Sequence, residues 1–432
     1  MTGARDGRVV VVGQGYVGLP LALRAVEVGY HVVGFEVDKS RVDRLRRAES
    51  FIDDVSDGDL AQALATGRFT PSDDPRELVG FRTAVVCVPT PLRDGLPDLH
   101  FIEDAARLLS GHLTRGACVV LESTTYPGTT EEIFGPILEA GSGLRAGTDF
   151  HLGYSPERID PSNPTWGLRN TPKIVSGVDD ASAAAVAAFY GNVVDRTVAA
   201  TGTREAELAK LLENTFRHVN IALVNELAVY CHELGIDVWS VIDMAATKPF
   251  GFMPFTPGPG VGGHCLPIDP SYLSWQVRHA LGRTFRFVEI ANDVNDNMPG
   301  YVVSRVVEHL NRKRRSVNGS RVLLVGLTYK RNSGDARHSP AAAVAHRLAD
   351  LGAELWAVDP FVAPHEVPAG VVLVECTPEV VEAADMVVVL TDHDAIDWPL
   401  LDRHAADVLD TRNRLTANRG RPRPMGLRCK KS

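Results

Sequence analysis

The chain has 432 residues, with 45 Lys and Arg against 54 Asp and Glu, a formal charge of -9, and 44% hydrophobic residues. This apolar content excludes a disordered chain, the acidic balance argues against a nucleic-acid surface, and the length fits two or three domains, each with its own core. Six scattered cysteines (Cys87, Cys118, Cys231, Cys265, Cys376, Cys429) argue against a disulfide framework and for a reduced, cytoplasmic setting. No apolar run approaches ~18 residues, so no membrane span is expected. The opening M-T-G-A-R-D-G-R lacks the apolar core of a signal peptide, and lysines fill the aliphatic positions that prenylation at C-K-K-S would need.

In chain order, Arg8 to Val12 reads as a buried strand feeding Gly13-Gln14-Gly15-Tyr16-Val17-Gly18, an apolar helix, and a second strand, His31 to Phe35, that reaches Glu36. A G-x-G-x-x-G turn in this setting predicts dinucleotide binding. Its glycines let the backbone approach a pyrophosphate, and the helix start supplies N–H donors. Glu36 would take ribose hydroxyls and repel a 2′-phosphate, favouring NAD over NADP, with Arg41 assigned to the same cofactor site. Thr83 to Val88, Ala117 to Leu121, Phe150 to Tyr154 and Ile174 to Val178 follow as short buried strands of the parallel type. Their carboxyl ends carry three polar turns: Val88-Pro89-Thr90-Pro91, Ser123-Thr124-Thr125-Tyr126-Pro127-Gly128-Thr129-Thr130, and Tyr154-Ser155-Pro156-Glu157-Arg158. Ligands bind at that edge, although hydroxyls there also serve as helix caps.

From Arg204 to Leu234 the pattern is helical without Gly or Pro, a helix of ~45 Å at 1.5 Å per residue. Its length suits a connecting spine, and its excess apolar surface suits a partner subunit. Lys210 and Asn214 share one face of it and could polarise a hydroxyl that is losing hydride; the plainer reading is a solvated stripe. The segment Lys248 to Pro270 is Gly- and Pro-rich and irregular, and such long loops are usually functional. Within it, Gly262-Gly263-His264-Cys265 leads to Asp269 at the start of a helix. The thiolate could attack a carbonyl while the carboxylate handles protons, or Cys265 could be a buried structural residue beside an N-cap. No pairing of His and Cys has metal-ligand spacing, so no metal is expected. A second β-α-β opening follows: Arg321 to Val325, Gly326 to Lys330, a helix from Ala341 to Leu351, and Glu354 to Val358 reaching Asp359. The expected fold is α/β, two Rossmann-like doubly wound domains joined by a long central helix. The expected divisions are 1–203, 204–312 and 313–417, with a basic tail, Asn418 to Ser432, read as a disordered segment.

Taken together, these segments resemble the UDP-glucose/GDP-mannose dehydrogenase family, the nucleotide-sugar 6-dehydrogenases, from about Val9 to about Arg414. The carrying motifs are G-Q-G-Y-V-G-L-P-L-A from Gly13, V-P-T-P with P-D-L downstream, S-T-T-Y-P-G-T-T from Ser123 and Y-S-P-E-R from Tyr154. Later ones are the Lys210/Asn214 helix, G-G-H-C-L-P-I-D-P from Gly262, and G-L-T-Y-K with D-A-R from Gly326. The resemblance implies oxidation of a sugar C6 alcohol to a carboxylate with two NAD+ and one water. It implies Cys265 as nucleophile, Asp269 and Lys210 as acid/base and oxyanion-stabilising groups, and Asn214 as a further donor. Thr124 would hold water, and Glu157 would assist the second oxidation and hydrolysis. Pro89, Thr90, Thr124 and Arg337 fall to the cofactor. Glu157, Arg158, Lys210, Asn214, Gly262, Lys330 and Arg412 fall to the substrate. A homodimer built on the long helix is implied, with no nucleic-acid or membrane partner. K-P-F-G-F-M-P-F resembles the bacterial branch that oxidises UDP-N-acetylhexosamines, but Pro161 and His338 depart from the wording of the glucose and hexosamine branches respectively. From this mixture UDP- or dTDP-glucose is the expected substrate, with UDP-N-acetylglucosamine or UDP-N-acetylmannosamine as the alternative. A two-electron 3-hydroxyacid-type dehydrogenase, or a nucleotide-sugar sensor without turnover, ranks below both.

Overall fold

A computed structural model describes residues 7–52, 54–160, 163, 165–263 and 266–415. Cys265, Pro161 and the basic tail therefore lie outside the described residues. The described residues form two compact units, one within Met1–Asn214 and Ile268–Arg283, the other within Thr215–Pro267 and Thr284–Ser432.

The first unit is built on an eight-stranded sheet: β1 (Arg8–Val12), β2 (His31–Phe35), β3 (Phe69–Ser72), β4 (Phe81–Val86), β5 (Cys118–Leu121), β6 (His151–Tyr154), β7 (Lys173–Gly177) and β8 (Thr197–Ala199). They lie in the order β8-β7-β6-β5-β4-β1-β2-β3. Val9 to Val12 are all buried, because one apolar cluster covers each face of the sheet; this is why the strand reads as an unbroken β-branched run. The order reverses between β1 and β4, so the turns after these two strands open at the topological switch point where nucleotides bind. β4 begins two residues earlier than the apolar run suggests, opposite β1 from Phe81, and this frees Cys87 to Pro91 for the turn. β3 carries Pro71, which is tolerated because the strand lies at the sheet edge.

Two strands depart from the all-parallel expectation: β7 pairs antiparallel with β6, and β8 runs with β7. The connection from 155 to 172 holds no crossover helix among its described residues, so the chain turns back directly. A helix then supplies the crossover to β8, which is parallel to β7.

The helices that matter for the site are α1 (Gly18–Glu27), α2 (Asp180–Val193), α3 (Thr203–Leu234), α4 (Val238–Ala246), α5 (Asp269–Leu281), α6 (Arg286–Arg312) and α7 (Pro340–Asp350). α3 runs from the first unit, which ends at Asn214, into the second. The second unit carries a five-stranded parallel sheet of β9 (Arg321–Val325), β10 (Glu354–Val358), β11 (Val371–Leu373), β12 (Met386–Val389) and β13 (Val408–Asp410), in the order β11-β10-β9-β12-β13. Two apolar clusters cover its faces, and α7 contributes Ala341, Val344, Ala345 and Leu348 to one of them. Among the described residues no helix is long and apolar enough to cross a membrane.

Candidate active site

The glycine turn follows β1. A Cβ placed on Gly18 would stand 1.8 Å from the Gly13 carbonyl oxygen, so the tight entry into α1 admits hydrogen alone. α1 starts with no side-chain cap; Leu19 N and Leu21 N donate to Gly15 O and Val17 O at 3.1 and 3.3 Å and Pro20 has no N–H, so the turn's own backbone and the positive end of the helix face a ligand. Glu36 is buried at the end of β2. It accepts hydrogen bonds from Gln14 N at 3.1 Å and Asp38 N at 3.2 Å, and Arg41 Nη1 lies 3.9 Å away. The carboxylate thus braces the turn as well as marking the ribose position, and Gly15, Tyr16 and Val17 stay partly exposed at its mouth. These residues fit a dinucleotide: an uncapped helix start, an approach only glycine permits, and an acid on the neighbouring strand.

Two of the three polar turns meet α5. Tyr272 donates from its hydroxyl to Pro91 O at 3.1 Å, Gln276 Nε2 donates to Pro127 O at 3.4 Å, and Tyr126 packs on Trp275 with ring centroids 4.9 Å apart. Pro89 is exposed and Thr90 buried. In the serine–threonine turn most hydroxyls are spent internally: Ser123 donates to Val88 O, Thr125 to Thr129, and Thr130 to Glu207. Thr124 is partly exposed and forms none of these bonds. Glu207, buried on α3, receives Gly128 N at 2.6 Å and Thr130 N at 2.9 Å, tying this turn to the helix one turn ahead of Lys210. Burial pushes its carboxyl up to about 7.

Lys210 is 7% exposed and Asp269 4%, so the solvated-stripe reading of the helix face does not hold. Asn214 Nδ2 donates to Asp269 Oδ2 at 2.5 Å. Burial pushes the Asp269 carboxyl up to about 6, with Lys210 and Asn214 limiting the rise. A lysine, an amide and a carboxyl that titrates near neutrality therefore converge, suited to moving one proton and stabilising an oxyanion.

Glu157 lies within electrostatic reach of Lys210. Its Oε1 accepts from Arg158 N at 2.6 Å and Ile159 N at 2.5 Å, while Oε2 is buried without a hydrogen bond and 3.6 Å from Lys173 Nζ. Lys173 is also paired with Glu122, which receives the Tyr190 hydroxyl. Arg158 donates to Pro172 O at 2.7 Å and pairs with Glu213, the neighbour of Asn214, at 2.7 Å.

In the second unit, a Cβ on Gly262 would meet Tyr329 Cβ at 2.7 Å and the His338 carbonyl at 2.8 Å. Gly258 N donates to Asn225 Oδ1 at 2.9 Å, and Asn225 Nδ2 to Asn295 at 2.9 Å, a buried amide pair that anchors the loop leading to Cys265. Arg412 Nε donates to Leu390 O at 2.7 Å. Arg337 is bidentate on Asp335 at 2.8 and 2.6 Å. Lys330 lies in a turn whose frame is the wholly buried pair His393 and Asp359: His393 Nε2 sits 3.1 Å from Asp359 Oδ2 and 3.0 Å from Thr328 Oγ1, and Asp359 also accepts Leu327 N. Asp359, at the end of the second β-α-β opening, is thus committed to its own loop.

Glu122, Lys173, Tyr190 and Glu207 are absent from the sequence-based set. Glu122 stands immediately before Ser123, and Lys173 is a lysine opening an apolar strand in a chain with only eight lysines; both signals were present.

Models of the UDP-glucose/GDP-mannose dehydrogenase family match residues 7–194 (NAD binding domain), 204–297 (central domain) and 323–417 (UDP binding domain). The chain is similar to UDP-N-acetyl-D-mannosamine dehydrogenase of Pyrococcus horikoshii, 34% identical over 94% of this chain and 95% of that one. It is also similar to UDP-N-acetyl-D-glucosamine 6-dehydrogenase of Pseudomonas aeruginosa, 38% identical over 84% and 85%. The solved structure of UDP-D-ManNAc dehydrogenase from Pyrococcus horikoshii superposes with a TM-score of 0.86, covering 94% of this chain and 95% of that one at 33% identity.

Proposed function

Because the chain belongs to the UDP-glucose/GDP-mannose dehydrogenase family, NAD-dependent oxidoreductases acting on CH–OH groups, we propose that it oxidises C6 of a UDP-N-acetylhexosamine to the carboxylate. The observation that carries this reading is the buried group of Lys210, Asn214 and Asp269, since Asp269 heads the helix four residues after Cys265. The hexosamine follows from the two relatives with N-acetylhexosamine substrates, and it replaces the glucose-type substrate expected from Pro161 and His338.

The chemistry runs in three stages. NAD, when bound at the glycine turn, supplies the hydride acceptor for each oxidation. In the first stage Asp269 takes the C6 hydroxyl proton as the C6 hydride is lost, giving the aldehyde, while Lys210 stabilises the developing oxyanion and Asn214 orients the carboxyl. The Cys265 thiolate then adds to the aldehyde, giving a thiohemiacetal whose oxyanion Lys210 stabilises; loss of a second hydride leaves a thioester. In the third stage water held by Thr124 attacks the acyl carbon, its proton passes to Glu157, and the C–S bond breaks to return the thiolate. Residues 1–203 are assigned to the cofactor and 313–417 to the nucleotide diphosphate, with Lys330, Arg412, Gly262 and Arg158 on the substrate and Arg337 on the cofactor; the spans of the family models support this division. We assign the protein to a cytoplasmic homodimer, for which an exposed apolar stripe on α3 speaks.

Purified protein assayed with NAD against UDP-N-acetylglucosamine, UDP-N-acetylmannosamine, UDP-glucose and dTDP-glucose tests the reading. Two NADH per sugar with an N-acetylhexosamine is expected. Turnover of glucosides alone would remove the hexosamine, and one NADH with a ketone product would remove the four-electron chemistry.

A further inference from the structure

Beneath Glu157 lies a buried charge cluster that the three stages above do not use. Glu122 follows β5, Lys173 opens β7, Tyr190 comes from α2, and Glu157 follows β6, so four elements of the first unit bring these side chains together. The Glu122 and Lys173 side chains are 0% and 4% exposed, and that of Glu157 is 12% exposed. Lys173 Nζ bonds Glu122 and lies over the Tyr190 ring, 5.1 Å from its centroid. It also faces Glu157 Oε2 at 3.6 Å. One ammonium thus serves two carboxylates, and the cluster is one positive charge short. A buried charge without a partner is costly, so such a cluster retains a proton on one carboxyl or accepts one during chemistry. The oxygen left open for it is Glu157 Oε2, the buried carboxylate atom of the cluster with no hydrogen bond.

We infer that Lys173, held by Glu122 and Tyr190, is a positioning residue that keeps Glu157 ionised and turned so that Oε2 takes the proton from the water that hydrolyses the thioester. This inference rests on the proposed four-electron reaction. The water O–H bond breaks, its proton goes to Glu157 Oε2, the oxygen bonds the acyl carbon, and the C–S electron pair returns to Cys265. The two backbone N–H bonds fix Oε1, leaving Oε2 free to react. The charged and titratable groups facing Glu157 are Glu122, Lys173, Cys87 from the end of β4 and Lys210 from α3. Burial works against ionising Glu157, but Lys173, a hydrogen bond from the Glu122 carboxyl, the Ile159 N–H and Lys210 outweigh it and hold the carboxyl below its usual range. Burial instead pushes Glu122 up to about 7, so the stored proton falls on Glu122.

The test separates hydrolysis from oxidation in the full-length enzyme with the N-acetylhexosamine nucleotide it turns over. Lys173→Met is expected to give a burst of two NADH per site followed by release of acid slowed about 10²-fold, with an acyl adduct on the protein visible by intact mass. The pH limb of adduct decay should move up by about 1–3 units. The KM and the first hydride transfer should stay near the parent values, and Lys173→Arg should restore decay. Since Lys173→Met leaves Glu122 unpaired and can fail to fold, Glu122→Gln/Lys173→Met removes both charges. It should fold and show the same slow decay, whereas Glu122→Gln alone should hydrolyse normally. Recovery of hydrolysis in the double variant, or equal losses in burst and steady state, would overturn the inference by reducing the cluster to a structural ion pair. If the parent yields no NADH from any nucleotide sugar, the failure belongs to the proposed function instead.

Discussion

Asp269 shows how one side chain acquires its chemistry from its surroundings. With burial pushing it up to about 6, it exchanges protons near neutral pH, which an exposed aspartate does not. The profile of kcat/KM for the first oxidation should therefore carry an acid limb near pH 6, and Asp269→Asn should lose that limb along with about 10²- to 10⁴-fold in rate. Cys265→Ser should stop acid formation while leaving nucleotide binding by calorimetry intact; acid formation at a near-normal rate would end the covalent route. Glu207 makes the same physics visible in stability. Its folded carboxyl titrates at about 7 against an ordinary 4.5, so the folded state binds more protons than the unfolded state between those values. Its contribution is complete below pH 4.5 and lost as pH rises through about 7. Thermal melts from pH 4.5 to 7 should show a steeper fall for the parent than for Glu207→Gln; parallel curves would contradict the assignment.

At the scale of elements, two glycines set how closely backbone can approach backbone. Gly18→Ala drives a methyl into the Gly13 carbonyl and should lower the melting temperature and raise the KM for NAD. Gly262→Ala meets Tyr329 and the His338 carbonyl in the second unit, so it should displace the loop ahead of Cys265 and remove turnover while NAD affinity, measured by fluorescence, stays at the parent value. The strands around both turns were legible beforehand: Arg8–Val12, His31–Phe35, Arg321–Val325 and Glu354–Val358 match the sequence reading residue for residue. Each is an unbroken apolar run buried on both faces, a strong local signal. Phe69–Ser72, interrupted by Pro71, was not read, nor was the reversed direction of Lys173–Gly177. Direction is set by what the connection packs against and leaves no mark in a five-residue run.

For the whole molecule, the long helix holds the decisive surface. Leu208, Leu212, Phe216, Leu223, Leu227, Tyr230 and Leu234 recur at helical spacing and are exposed, Leu212 by 62%, Leu223 by 60% and Leu234 by 72%. Burying a leucine contributes about 1.5–3 kcal/mol, so a stripe of this length supports the proposed homodimer. Sedimentation should find a dimer, and Leu223→Lys with Leu234→Lys should release monomers; a monomeric parent would remove the dimer.

The sequence by itself determined the two β-α-β openings, the long helix and the motif residues from Gly13 to Arg412, because each rests on short-range periodicity or on a few contiguous residues of distinctive chemistry. It did not reveal that Glu122 and Lys173, 51 residues apart, form a buried ion pair beside Glu157, or that Glu207 clamps Gly128 from 79 residues away. Only the tertiary structure decided these, since the ionisation of a carboxylate depends on which distant groups exclude water from it and which charge they bring within a few ångströms.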